Sequence, residues 1–284
     1  MVVIGELLRG EEKVKKILVI LTCFNRREKT IKCITSLING NPQLQFSFVV
    51  VDDNSSDGTV EELNKLEQDI TILSGNGNLY WAGGMRKGIE YCHQNNIKCD
   101  YVLYVNDDVD FYKGAIEKLI RQEGGNQTVI VGATCNDAGE LTYGALKLKD
   151  RRKARYYLVQ PGFKECCDTF NMNCVLMPKM IFDKMGNLDK VYQHALADLD
   201  YGFRISRNGY KIYISEDYVG ICNTNPVEGT WKDTSLGRLD RLKKKESIKG
   251  APFKPWFYYL RKNFGLMIAI KYSLSPYVRI IMGK

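Results

Sequence analysis

Residues 101–111 read YVLYVNDDVDF, five aliphatic and aromatic residues running straight into an amide and two adjacent carboxylates. Tyr101 to Val105 have the length and the β-branched and aromatic content of a strand covered on both faces, as in a parallel sheet. Asn106, Asp107 and Asp108 then fall at its carboxyl end, where open α/β sheets place their ligands. Neighbouring carboxylates repel, so a strand tip gains nothing from two of them unless a cation or a set of hydrogen-bond donors is at hand. A simple turn after the strand is the plain alternative. The pattern points instead to a divalent metal on Asp108, its shell completed by phosphate oxygens and water.

The same plan precedes this strand twice. KILVILTCFNR, residues 16–26, predicts a strand over 17–21 and a loop from Thr22 to Arg26. A helix follows, with Ile31, Ile34, Leu37 and Ile38 on one face and Gly40-Asn41-Pro42 as its stop. FSFVVVDDNSSDGTVEELNKL, residues 46–66, predicts a strand over 46–51, a polar tip at Asp52 to Ser56, and a helix capped by Asp57 or Thr59. Turn and capping chemistry accounts for Ser55 and Asp57. Two consecutive carboxylates, Asp52 and Asp53, are better placed to accept from a nucleobase N–H or a ribose hydroxyl. A short strand, ITIL, leads into GNGNLYWAGGMRKGIEYC, a glycine-rich loop passing into an amphipathic helix.

Strands alternating with helices at this spacing predict βαβ units, an α/β fold and a mostly parallel sheet. After about residue 125 the alternation loosens, with a turn at Asn136 to Gly139 and short pieces that read as an antiparallel excursion. From Arg238 onward the chain is basic and aromatic. This reads as a helical tail lying on the domain's own core or on a membrane, not as an independent fold.

Composition narrows the function. A net charge of +8 and a pI near 8.9 suit a partner carrying phosphates, whether nucleotide, nucleic acid or anionic membrane. Nine cysteines with no C-x-x-C pair argue against a structural zinc site or a disulfide framework and for a reduced cytosolic protein. His93 and His194 are the only histidines, so a metal is held mainly by oxygen. MVVIGELLRGEEKVKK is broken by charge from Glu6 onward, which speaks against a secretory leader. No apolar run reaches the roughly 18 residues that span a bilayer. The loop at Gly75 and Gly77 lacks the third glycine of a dinucleotide fingerprint, and no G-x-x-x-x-G-K-[ST] occurs. Gly83, Gly84 and Gly88 read equally well as close helix packing.

HALADLDYGFRISRNGY, residues 194–210, forms the third acidic place. Its helix carries Leu199, Phe203 and Ser206 on one face and ends at Gly209. Asp200 and Arg204 have the spacing of an i,i+4 ion pair. Asp198 falls at the helix entrance, where it suits either capping or service as a general base.

In this order, TCFNR, VVVDDNSSDGT, the loop from Asn78 to Gly88, VNDDV and ADLDYGFRISRNGY resemble glycosyltransferase family 2, over roughly residues 16–225. WAGG and HALADLDYGFR look most like the rhamnosyltransferase-like branch that builds bacterial surface polysaccharides. The resemblance implies a GT-A fold and an inverting, metal-assisted transfer of one sugar from a nucleotide-diphosphate sugar to a glycan or lipid-linked hydroxyl. It implies a catalytic domain over 1–237, divided into a nucleotide half at about 16–125 and an acceptor half at about 126–237, with the tail at 238–284. Carried over residue by residue, Thr22, Arg26, Asp52, Asp53, Trp81, Arg86, Asn106 and Asp107 bind the donor, Asp108 holds Mg²⁺ or Mn²⁺, and Asp198 is the base.

Two positions depart from the family pattern. Ala197 stands where an acidic residue usually precedes the base, and Gly220-Ile221-Cys222-Asn223 replaces a stretch that often carries a metal-side histidine, with Asn223 a weak substitute. The processive Q-x-x-R-W signature is absent. His194, four residues before the base, reads as a contact for acceptor or phosphate or as a satisfied structural histidine. The implied place is cytoplasmic, with the tail at the inner face of the cell membrane as one of its two readings.

Two other functions compete. A sugar-phosphate nucleotidyltransferase needs a basic glycine-rich loop where this chain has Thr22-Cys23-Phe24-Asn25-Arg26. A nucleic-acid-binding module would use Arg238, Arg241, Lys243 to Lys245 and aromatics near Trp256. The favoured reading has no nucleic-acid partner.

Overall fold

The computed structural model describes residues 14–284. Most of the charged opening stretch therefore lies outside the described residues. β1 (Lys16–Cys23), α1 (Arg27–Gly40), β2 (Gln45–Asp52), α2 (Thr59–Leu63), β3 (Asp69–Ser74), α3 (Tyr80–Gln94) and β4 (Tyr101–Val105) alternate as the sequence predicts. Then come β5 (Asp110–Phe111), α4 (Ala115–Glu123), β6 (Val129–Cys135), β7 (Leu141–Tyr143), β8 (Ala145–Asp150), β9 (Arg155–Leu158), β10 (Thr169–Phe170), β11 (Cys174–Pro178), α5 (Lys179–Met185), α6 (Ala197–Arg207) and β12 (Ile212–Ile221).

The main sheet runs β3-β2-β1-β4-β11-β6-β12-β5, with β7 paired to β6. β3, β2, β1 and β4 are mutually parallel, and β11 enters antiparallel between β4 and β6. β8, β9 and β10 form the small antiparallel sheet of the expected excursion. Strand residues divide between two cores: Ile17, Val19 and Leu21 face one side of β1, Leu18 and Ile20 the other. All five residues of β4 are buried, so the strand is covered on both faces. β1 lies between β2 and β4, and the order reverses there; the carboxyl ends of these three strands open onto one cleft.

Asp57 does more than the sequence predicts. Its Oδ2 accepts from the Arg27 amide at 2.9 Å and its Oδ1 from the Thr59 amide at 3.2 Å, so one carboxylate serves the first turns of α1 and α2.

The tail folds as α7 (Arg238–Lys245), α8 (Phe253–Phe264), α9 (Leu266–Ser273) and α10 (Ser275–Ile281). Tyr259, Leu260 and Ala269 join the core shared with α6, and Phe264 meets Phe203 edge-on at 5.5 Å. The expected Asp200–Arg204 pair does not form. Asp200 is buried against the tail, accepting from Lys262 Nζ at 2.6 Å and Asn263 Nδ2 at 2.9 Å. Arg204 instead donates to the Asn187 carbonyl at 2.6 Å and lies over the Tyr201 ring. A buried carboxylate takes the donors that share its burial, and an exposed-helix spacing rule does not foresee them. Two cations of the rival nucleic-acid patch are also inside: Arg241 donates to the Trp231 and Lys284 carbonyls, and Lys245 to that of Ala251.

Candidate active site

A cleft of about 620 Å³ gathers Thr22, Arg26, Asp53, Trp81, Asn106, Asp107, Asp108 and Asp198 on its walls. Its size is that of a small-molecule site. Asp52 and Arg86 do not line it. Asp52 is buried behind the loop, accepting from the Ser55 amide at 2.9 Å, and Arg86 donates to the Asp189 carbonyl at 3.2 Å and to that of Tyr192. Both brace the segments that form the cleft.

The end of β4 carries the negative charge. Arg26 holds Asp107 at 2.8 Å and Asp108 at 2.6 Å with its two terminal nitrogens. Asp107 Oδ2 is buried with no hydrogen-bond partner, and burial pushes its carboxyl up to about 7, Arg26 opposing and Asp108 reinforcing. Two adjacent carboxylates, one oxygen of which is unsatisfied, are hard donors and fit a small divalent cation. Among the described residues no cluster of three or more ligating side chains exists; a small divalent cation typically takes one or two protein carboxylates and completes its shell with phosphate and water. Cys222, not Asn223, stands beside this pair, with Sγ 3.5 Å from Asp108 Oδ1; burial raises its thiol to about 12. Asn223 is committed to Asp137, 2.8 Å away.

The glycine-rich loop is fastened to the end of β2 by Asp53. Its carboxylate accepts from the amides of Gly77 at 2.8 Å, Leu79 at 2.9 Å and Tyr80 at 3.2 Å. Gly75 is required by this closeness, since a Cβ there would lie 2.8 Å from Asp53 Cα. Gly84 lets α3 pack directly on Thr22, whose hydroxyl donates to the Val51 carbonyl at 2.9 Å. Trp81 then crosses to the carboxylate strand, its indole N–H donating to Asn106 Oδ1 at 2.9 Å.

Asp198 sits in the first turn of α6, half-buried, its Oδ1 accepting from the Leu199 amide at 2.9 Å. Burial raises its carboxyl above the ordinary range; backbone amides and Asn171 oppose this, and no cation stands among its chief neighbours. Two non-glycine residues on this side are left-handed, Tyr80 at φ 54° and Leu196 at φ 76°. Such strain persists only where the surroundings enforce it.

Sequence reasoning missed several walls of the cleft: Asn171, Met172 and Asn173 from the loop before β11, Tyr143, Asn225, and Lys249 from the tail. The two asparagines of Asn171-Met172-Asn173, next to a strand, are a usable signal. Nothing local to Lys249 announces it.

The glycosyl transferase family 2 model matches residues 18–177, more than half of the chain. The chain belongs to glycosyl transferase family 2. It is therefore a glycosyltransferase, and its mixed α/β architecture is the GT-A fold. No curated protein matches it in sequence. Solved structures share the fold at low identity. The mannosyltransferase PcManGT from Pyrobaculum calidifontis, in complex with GDP-Man and Mn²⁺, is 12% identical with a TM-score of 0.58, over 96% of this chain and 74% of that one. S. aureus TarS 1–349 is 14% identical with a TM-score of 0.54, over 94% of this chain and 81% of that one. The same TarS fragment with UDP-GlcNAc gives 15% and 0.56, over 93% and 79%. Among the described residues of this family 2 chain, no helix is long and apolar enough to cross a membrane.

Proposed function

We propose that this glycosyltransferase moves one sugar, with inversion, from a nucleotide-diphosphate sugar to a hydroxyl of a glycan or lipid-linked acceptor in cell-surface polysaccharide synthesis. The observation that carries the reading is the meeting of Asp107, Asp108 and Asp198 in one cleft. WAGG and HALADLDYGFR support the narrower rhamnosyltransferase-like reading. Structural neighbours solved with GDP-Man and UDP-GlcNAc support the donor class. In this reading residues 16–125 hold the nucleotide and 126–237 the acceptor.

Each wall then has a task. Thr22, Asp53 and the loop through Trp81 position the nucleotide, and Arg26 brings positive charge to the diphosphate. Asp107 and Asp108 would hold Mg²⁺ or Mn²⁺, which supplies charge to stabilise the departing diphosphate; the neighbour solved with Mn²⁺ supports this. Asp198, with a pKa already raised, takes the proton from the acceptor hydroxyl as that oxygen attacks the anomeric carbon from the face opposite the diphosphate. An oriented base of this kind contributes roughly 10² to 10⁴ in rate. The exposed apolar and basic faces of α9 and α10 support a peripheral place at the inner face of the cell membrane.

A panel of nucleotide-diphosphate sugars, with Mg²⁺, Mn²⁺ or chelator, tests the reading through thermal stability and release of nucleoside diphosphate. Stabilisation by one donor and product of inverted anomeric configuration are expected. No response to any donor, or retained configuration, would overturn it.

A further inference from the structure

The tail brings a cation into the cleft that the mechanism above leaves unused. Lys249 lies on the single 3₁₀ turn Ile248–Gly250 between α7 and α8 and lines the same cleft as His194 and Asp198. The turn is held from behind. The Gly250 amide donates to the Ser247 carbonyl at 2.9 Å, Lys245 donates to the Ala251 carbonyl, and Gly250 packs so tightly on the end of α7 that a Cβ would lie 2.6 Å from the Lys245 carbonyl oxygen. Lys249 itself makes no ion pair among the described residues and is exposed.

His194 faces it from the segment leading into α6. The ring meets Tyr80 edge-on at 6.4 Å, and its Nδ1 is shut off from solvent with no hydrogen-bond partner. The satisfied structural histidine considered from sequence is therefore not what the fold contains. Burial, and then Lys249, lower its pKa below that of an ordinary histidine. With Nδ1 shut off, Nε2 is the ring nitrogen left to meet a ligand, and in its N–H form it donates. The strained Tyr80 and Leu196 flank this histidine in space and in sequence.

We propose that Lys249 and His194 form a phosphate-binding subsite on the acceptor side of the cleft, so that the acceptor carries a phosphate group near the hydroxyl that receives the sugar. An ammonium on a turn held in place supplies charge and an imidazole N–H supplies direction, the pairing that oxyanion recognition uses. In the proposed mechanism the donor's diphosphate has its own cationic group in Arg26, which lies on the Asp107–Asp108 side. Naming the ligand an acceptor rests on the transferase reading; the subsite itself does not.

The two histidines of the chain give the test a built-in control, since His93 is stacked on Phe182 at 4.3 Å, outside this cleft. Imidazole resonances of the full chain, labelled at histidine, are followed while inorganic phosphate is added, alone and with saturating UDP or GDP plus Mg²⁺. The expected result is a saturable shift of His194 with His93 still, weakened about tenfold or more in Lys249→Gln and restored in Lys249→Arg. The shift should persist with nucleotide bound. A His194 that ignores phosphate, or responds equally in Lys249→Gln, overturns the subsite. Loss of the response on nucleotide binding assigns it to the donor diphosphate and overturns the acceptor claim. Failure of every nucleotide to bind would count against the transferase reading while leaving the phosphate titration intact. Unchanged His93 resonances certify that the variants are folded.

Discussion

Lys262 Nζ lies 2.6 Å from Asp200 Oδ2, and this contact joins the tail to the helix that carries Asp198. Asp200 is buried and Lys262 only about a quarter exposed, at 27% of its side chain. Removing the ammonium leaves a buried carboxylate with Asn263 as its remaining tail donor. Lys262→Met should destabilise the protein by about 3 kcal/mol, the usual scale for breaking a buried pair. Urea unfolding midpoints measure this. A change as small as that of a surface substitution would mean that the aromatic contacts alone hold the tail.

How much of this was legible beforehand follows from the range of the interactions. βαβ alternation and the buried β4 are written in periods of a few residues, so strands, helices and the ends of β1, β2 and β4 could be placed from sequence. The motifs that carry Asp108, Asp53 and Asp198 are equally local, and the fold brings the three to one cleft. The resemblance carries Asp52 and Arg86 into the donor site along with Asp53 and Trp81, whereas a strand tip or a helix turns neighbouring residues to different sides, and these two lie off the cleft. Lys262 and Lys249 could not be found locally: the Asp200 that Lys262 meets lies 62 residues away, and Lys249 reaches the cleft only because the tail folds back to its wall.

The base gives a pH prediction. Asp198 must be ionised to accept a proton, and burial raises its pKa. The acid limb of kcat/KM should therefore fall above the roughly 3.9 of an ordinary aspartate. Asp198→Asn should lower turnover by orders of magnitude with donor affinity nearly unchanged. The linkage has a definite sign. A raised folded pKa contributes stability fully present below the unfolded pKa and lost as pH rises through the folded one. Asp198→Asn should thus gain stability relative to the parent between about pH 4 and neutrality. Equal thermal shifts at both ends of that range would remove the burial account, and unchanged turnover would remove Asp198 from the chemistry.

The carboxylate pair predicts how metal enters. Arg26 already pairs with both Asp107 and Asp108, so a cation competes with the guanidinium unless a diphosphate draws Arg26 away. Mn²⁺ alone should bind weakly, and nucleoside diphosphate should tighten it, as followed by the paramagnetic signal of free Mn²⁺. Asp108→Ala should lose the tightening and weaken donor affinity only when metal is present. An equal loss of donor affinity in chelator would point to a direct hydrogen bond at Asp108 instead.

The outer face of the tail supports the last prediction. Its inner residues Tyr259, Leu260, Ala269 and Ile280 are buried, so α8 to α10 are part of the fold. Outward, Met267 is 78% exposed, and Leu266, Ile270, Leu274, Val278 and Ile281 are each at least half exposed. No acidic residue follows Glu246, while Lys254, Arg261, Lys271 and Arg279 are all exposed. An apolar surface with only positive charge around it complements an anionic bilayer, where each basic residue adds about 1 kcal/mol. Vesicles of neutral lipid with and without anionic lipid should recover the protein by flotation only when anionic, less so as salt rises. Met267→Glu with Ile270→Glu should abolish recovery while leaving nucleotide binding intact. Equal, salt-insensitive recovery on both vesicles would sink the electrostatic part. A dimer in solution that the same substitutions dissolve, with no recovery on either vesicle, would assign this face to a second copy of the chain.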